Sequence, residues 1–229
     1  MYVTIGGRLE VARGRVGRSL PAQLVIAREH DWVAWYPDGE CFVNLAGSYD
    51  YLELAYYISQ ERELKGECIH PTGKEMLDAY VPPLFLERAR LAGLSTPSYY
   101  LSNGYFEPPV LIDPINPFMI KSRLVLKPGR EKAVAKSMTR NFTYAICCQE
   151  LPEAARVVYF RMVLGWSTSV RFRTVGRKLW ESFGIPLAKV RVVVTAEDEY
   201  LVSDISPMPF HSLKTRELRY LEQRIQWDR

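Results

Sequence analysis

The segment Lys189 to Pro207, KVRVVVTAEDEYLVSDISP, limits the fold more than any other stretch. Two runs rich in β-branched residues flank an acidic turn, so they read as an antiparallel strand pair and not as helices. Alternation at the end of the second run sets Asp204 and Ser206 on one face and Ile205 on the other. A Pro-Met-Pro turn then stops the sheet, because proline has no N–H to give a ladder. The strand thus ends by aiming a carboxylate and a hydroxyl the same way.

Strand and helix signals alternate through the rest of the chain. VAWYPDGECFVNL holds two strand-like runs, Val33 to Tyr36 and Cys41 to Leu45, around a Pro-Asp-Gly turn, which predicts a hairpin. A helix is expected from Tyr51 to Lys65, stopped by Gly66, and ECIHP follows as a short strand. VPPLFLERARLAG predicts a helix with proline in its first turn, Gly93 past its end, and Phe85, Ala89 and Ala92 on one face. A proline-rich connection, Glu107 to Pro117, divides the chain. Beyond it come the strand FMIKSRLVLK, the helix in PGREKAVAKSM, the strand FTYAICCQEL, two strands in ARVVYFRMVLGWSTSVRFRTV, a short helix at RKLWESFG, and the closing strand pair. The last helix, SLKTRELRYLEQRIQW, spaces Leu218, Leu221 and Ile225 helically. The class is α+β. The expected organisation is a hairpin and helix region over 1–75 and a second region over 76–229, itself divided at 76–117, 118–152 and 153–229.

The composition is that of an ordinary globular chain: 229 residues, 48% hydrophobic and 24% charged, with net charge +4 and pI near 8.8. That charge is too mild to announce a nucleic-acid binder. No run is apolar enough to span a membrane, and MYVTIGGRLEVARGR lacks the apolar block of a signal peptide, so a cytoplasmic protein is expected. Cys41, Cys68, Cys147 and Cys148 form no C-x-x-C pair and read as reduced thiols. With only His30, His70 and His211 to draw on, a His/Cys zinc site is not expected. Vicinal Cys147 and Cys148 lie in an apolar strand, one facing each side, as packing residues.

Nucleotide motifs with a local signature are missing. Gly73-Lys74 is followed by Glu75, so it closes no P-loop, and there is no G-x-G-x-x-G after a strand and no G-x-S-x-G elbow. One basic cluster stands out. Arg171 and Arg173 share a strand face, with Arg177 and Lys178 at the next helix start. This is either a solvated basic face or an anion site, since guanidinium forks bind phosphate or carboxylate bidentately. Phe172 and Trp180 between the arginines admit single-stranded nucleic acid, but the rest of the chain argues against it.

From about Leu77 to Pro209 the order of pieces resembles the ATP-grasp superfamily, nearest the RimK-type glutamate ligases and related carboxylate–amine ligases. NPFMIKSRLVLKPG is similar to the strand carrying a nucleotide-phosphate lysine, which gives that role to Lys121. AICCQELP is similar to the hinge strand that touches adenine, which maps to Gln149, Glu150 and Leu151. ARVVYFRMVLG matches the strand whose arginine serves the active site, here Arg161. The closing strand pair is similar to the family's last two strands, where a Glu and an Asn hold magnesium ions on ATP; Asp204 and Ser206 take those places. The resemblance thus implies ATP, magnesium, and a small-molecule or peptide carboxylate as substrate, with a homodimer admissible. Each of these residues also has a plain reading: Lys121 as a sheet-surface lysine, Glu150 as a polar strand end, Arg161 as the polar face of an amphipathic strand, and Asp204 as turn chemistry.

The departures from the pattern bear on the chemistry. The family's other metal carboxylate would fall in KVRVVV, where this chain has Arg191. Two unit charges about 4 Å apart interact by roughly 4 kcal/mol at an effective dielectric of 20, and a divalent ion doubles the repulsion. No lysine lies between Lys74 and Lys121, and KPGREKAVAK has a single glycine where the family has a glycine-rich loop. Two functions follow: a ligase of weakened or lost activity, or a non-catalytic scaffold that binds a nucleotide, an anionic ligand or a protein partner. In the second, Arg191 and Asp204 on neighbouring strands would form a salt bridge in place of the metal.

Overall fold

The structure is a computed structural model that describes residues 3–5, 8–10, 32–116 and 121–228. The expected strand around Lys121 therefore lies partly outside the described residues. Strands β1 (Val3–Ile5) and β2 (Arg8–Glu10) pair antiparallel. The predicted hairpin forms as β3 (Val33–Tyr36) and β4 (Cys41–Asn44), joined through a 3-10 turn at Pro37–Gly39.

Helix α1 (Leu54–Leu64) leads to β5 (Ile69–His70), which pairs parallel to β4. Helix α2 (Gly73–Tyr80) follows. Thr72 accepts from the Glu75 N–H at 3.2 Å, while Glu75 accepts from the Thr72 N–H at 2.8 Å, a reciprocal box that satisfies two otherwise orphaned donors. Helix α3 (Pro82–Leu91) begins with proline and ends before Gly93 at φ 72°, as its sequence predicts.

Strands β6 (Tyr99–Ser102), β7 (Val110–Pro114) and β8 (Arg123–Val125) precede helix α4 (Glu131–Met138) and strand β9 (Ile146–Glu150). Their sheet has the order β6-β9-β7-β8, all antiparallel. Cys147 packs into the main core with Phe85 and Val190, and Cys148 into a separate cluster with Phe106 and Met138, so the two thiols face opposite sides of β9.

Strand β10 (Arg156–Val163) pairs with β11 (Leu187–Val194), which pairs with β12 (Tyr200–Pro207). Between β10 and β11 the second expected strand does not form. Val170–Phe172 is a 3-10 turn, and helix α5 (Arg173–Phe183) begins at Arg173. The V-R-F-R alternation imitates strand spacing. The longer period of Phe172, Leu179 and Phe183, all buried, draws the segment onto the core as a helix instead. Gly176 permits the approach, since a Cβ there would lie 2.6 Å from the Gly165 carbonyl oxygen.

The terminal helix is shorter than expected. Helix α6 covers Thr215–Glu222, and Gln226–Trp227 forms β13, which pairs antiparallel with β3. Leu221 and Ile225 are still buried, so the apolar spacing is used although the helix ends between them. Through β13, the sheet of the expected 1–75 region takes its outer strand from the other end of the chain. Gly47 fastens the same region: Met208 donates to its carbonyl at 2.9 Å, and a Cβ on Gly47, at φ 81°, would come within 2.0 Å of the Met208 oxygen.

Candidate functional site

Strand β12 departs from simple alternation. Arg191 pairs with Asp204, but Val192 pairs with Val202, so Ser203 is the extra residue of a bulge. The bulge re-phases the strand: Val202 and Ile205 both enter the main core, leaving Asp204 opposite Arg191.

Arg191 is buried, with a side chain 2% exposed, and it reaches across to Asp113 of β7, 3% exposed. The pair is bidentate: Nη2 donates to Oδ2 at 2.6 Å and Nη1 to Oδ1 at 2.9 Å. Arg191 Nε donates to Ser203 Oγ at 3.0 Å, and Nη1 also meets Ser122 Oγ at 2.9 Å. The Ser122 hydroxyl donates in turn to Asp113. The cation is thus enclosed by partners on two strands and one loop, as a charge out of water requires. Burial works against its charge, but Asp204 and Asp113 hold it firmly protonated.

Asp204 completes the cluster from the other side. Burial pushes its carboxyl up to about 6, with Asp113 adding to the rise and Arg191 opposing it. Nearby, Tyr80 stacks on Tyr49 at 6.4 Å, and burial drives its hydroxyl well above the usual phenol range, with Tyr49 and Asp204 contributing. That hydroxyl is buried with no hydrogen-bond partner among the described residues.

The other expected site residues are distributed as follows. Gln149 is fully buried inside the cluster: its Nε2 donates to Asp113 at 2.6 Å and to the Ser203 carbonyl at 3.0 Å, while its Oε1 accepts from Ser203 Oγ at 2.8 Å. Its amide is used within the protein, whereas its neighbours Glu150 and Leu151 are exposed and half-buried. Lys121 is exposed and pairs with no acidic group among the described residues, although the adjacent Ser122 joins the cluster. Ser206 donates to the Lys189 carbonyl at 3.0 Å.

Arg161 is drawn away from this centre. It grips Glu217 of α6 at 2.7 and 2.8 Å and donates to the Ser212 carbonyl at 2.7 Å. Burial alone would raise the Glu217 carboxyl, but the Arg161 hydrogen bond and the Lys214 N–H hold it below the usual range.

Arg171 and Arg173 also part company. Arg171 lies over the Phe172 ring at 4.7 Å. Arg173 lines a separate open cleft of about 490 Å³ together with Arg177, Arg224, Trp166, Trp180 and Tyr220. Trp166 and Tyr220 stack at 4.5 Å, and Arg173 lies 5.7 Å from the Trp166 ring centre. Arg224 is met by Asp38 at 2.9 Å and Arg177 by Glu181 at 3.9 Å, whereas among the described residues Arg173 meets no carboxylate and donates to the Ser167 carbonyl at 3.2 Å. The cleft is a cationic, aromatic-walled hollow of the kind that suits a planar anion.

Sequence reasoning did not find Asp113. A single buried aspartate in an apolar strand, VLIDP, is a signal that something cationic meets it. No local spacing names a partner 78 residues away.

No helix among the described residues is long and apolar enough to cross a membrane. No curated protein sequence matches the chain. Among solved structures, the D-alanine–D-alanine ligase of Helicobacter pylori superposes with a TM-score of 0.55 at 14% identity, over 75% of this chain and 67% of that one. A RimK-domain ATP-grasp protein of Sphaerobacter thermophilus gives 0.50 at 15% identity, over 68% and 67%. An ADP complex of N5-carboxyaminoimidazole ribonucleotide synthetase gives 0.51 at 11%, over 72% and 54%. At such identities the likeness concerns the fold. The chain spans 61–63% of the length of the ATP-grasp ligase PsnB structures that it also matches. The family model of the RimK-like ATP-grasp N-terminal domain matches residues 38–224, most of the chain, and the protein belongs to that family.

Proposed function

We propose that this chain is a non-catalytic ATP-grasp-like module. In this reading the position that would neutralise phosphate and magnesium is occupied by an internal ion pair, and the module binds an anionic ligand instead. The observation that carries the reading is Arg191, buried in register with Asp204 and held bidentately by Asp113. Magnesium needs hard oxygen donors with charge to spare. Here one carboxylate is committed to a guanidinium and the other stands opposite it, so the donor set does not fit the metal. Lys121 is exposed and Arg161 is committed to Glu217, so among the described residues neither adds to a phosphate clamp at Asp204.

The ligand site in this reading is the cleft at Arg173. The ligand class is a peptide or small-molecule carboxylate, taken up by a guanidinium that has no acidic partner among the described residues, beside the stacked Trp166 and Tyr220. Charge-assisted bidentate bonds give such a site its orientation.

The test is a thermal-shift titration of the full chain with a glutamate-rich peptide and with inorganic phosphate, beside an assay for ADP release from ATP and magnesium. A ligand at a hundred times its dissociation constant stabilises the fold by about 2.7 kcal/mol. The expected result is a peptide-dependent shift, reduced at least tenfold in apparent affinity by Arg173→Ala and unchanged by Asp204→Asn, with no ADP release. Magnesium-dependent ADP release abolished by Asp204→Asn would overturn the non-catalytic reading, and a peptide shift indifferent to Arg173→Ala would overturn the cleft.

A further inference from the structure

The parallel pairing of β4 with β5 gathers three soft ligands that the ATP-grasp reading does not use. Phe42 pairs with Ile69 and Val43 with His70, so Cys41 stands beside Cys68. Cys68 and His70 are two apart in an extended segment and share a face, with buried Ile69 turned to the other. The two thiol sulfurs and a ring nitrogen of His70 all lie within 4.8 Å of one another. Against the sequence expectation, a His/Cys constellation does assemble.

We propose that Cys41, Cys68 and His70 form a zinc site with an open fourth position. A tetrahedral zinc with bonds of about 2.0–2.3 Å places its ligand atoms about 3.3–3.8 Å apart. The cluster, with its ligand atoms within 4.8 Å of one another, therefore needs to close by at most about 1–1.5 Å, within the reach of cysteine and histidine rotations. The ligand types select the metal: thiolate and imidazole suit zinc, while magnesium and calcium require oxygen.

A carboxylate stands behind the histidine. Glu75 Oε2 lies 2.8 Å from His70 Nδ1, which leaves Nε2 to face the two sulfurs. Glu75 is itself fixed by the backbone N–H of Thr72 at the start of α2. Such a partner sets the orientation of a ligating imidazole. Trp180 packs edge-on against His70 at 5.8 Å and shields one side. Cys41 is buried, whereas Cys68 is exposed, so the fourth position opens toward solvent and takes water or an incoming ligand. Binding exchanges the two thiol protons for the ion, with no change of oxidation state.

The zinc site shares Trp180 with the anion cleft but none of its ligands, and it is tested separately. The full chain, stripped with a chelator and kept reduced, is titrated with Co²⁺ and then Zn²⁺. One equivalent of Co²⁺ should raise a thiolate-to-metal charge-transfer band in the near ultraviolet, and Zn²⁺ should displace it stoichiometrically. Cys68→Ser, at an exposed position, should remove most of that band, Glu75→Gln should weaken the metal about 10–100-fold, and Cys148→Ala should leave it unchanged. A second readout needs no variant: Zn²⁺ should slow alkylation of Cys68 in the native protein at least tenfold. Absence of the band, its persistence in Cys68→Ser, or equal alkylation rates with and without Zn²⁺ would each overturn the proposal.

Discussion

Removing Asp113 isolates the ion pair on which the central cluster depends. Asp113→Ala strips Arg191 of its bidentate partner, takes the acceptor from the Ser122 hydroxyl, and leaves Gln149 Nε2 with the Ser203 carbonyl as its remaining acceptor. Breaking a buried pair from one side costs about 3–5 kcal/mol, because an uncompensated charge remains inside. Asp204, opposite Arg191, keeps part of the counter-charge in place, which favours the lower end, about 3 kcal/mol. For a chain of this size each kcal/mol moves Tm by about 2–4 °C, so the expected fall is about 6–12 °C. A thermal melt reads the fall in Tm, and urea denaturation at neutral pH followed by circular dichroism measures the loss of free energy, with equal m-values as the check on two-state behaviour. The double variant Asp113→Leu with Arg191→Met removes both charges together. It should lose at least about 2 kcal/mol less than the sum of the single variants. A loss below about 1 kcal/mol for Asp113→Ala, or strict additivity in the double variant, would refute the reasoning.

Three further outcomes are expected. Because burial raises the folded-state carboxyl of Asp204 from 3.8 to about 6, the native protein holds a proton there that the unfolded chain has given up, so this residue's contribution to stability declines as pH rises from about 4 to 6. Asp204→Asn should lose that slope in denaturation curves across the window, and an unchanged slope would contradict the assignment. Arg161→Met leaves the buried Glu217 without its guanidinium and should cost about 3 kcal/mol by urea denaturation; a stability within 0.5 kcal/mol of wild type, on the order of a neutral surface change, would show that the grip on α6 is unimportant. Gly47→Ala should destabilise by more than about 1 kcal/mol in the same assay, since the left-handed backbone and the Met208 carbonyl both exclude a Cβ.

Much of the architecture can be read from local chemistry. The Pro-Asp-Gly hairpin, the α3 helix between proline and Gly93, and the β11–β12 pair each carry their own start and stop signals. The segment Arg171–Arg173 misleads because four alternating residues cannot distinguish a strand from the entry to a helix whose apolar residues lie further on. The end of α6 misleads because Ile225 is buried by a chain that has already left the helix to pair as β13 with β3. The candidate sites are less legible, since each is made by contacts between distant segments. Arg191 was visible as a cation in an awkward place, but its partner Asp113 comes from another sheet. The Ser203 bulge that turns Asp204 toward Arg191 has no sequence marker. Cys68-Ile69-His70 shows two ligands on one strand face, yet only the parallel register with β4 supplies Cys41.

Calorimetric titration of the full chain with ATP, with and without magnesium, tests the central claim most directly. If the Arg191–Asp113 pair fills the place of the metal and its phosphates, magnesium adds no binding heat, and Asp204→Asn behaves like the wild type. Magnesium-dependent ATP binding to the wild type that disappears in Asp204→Asn would contradict the account.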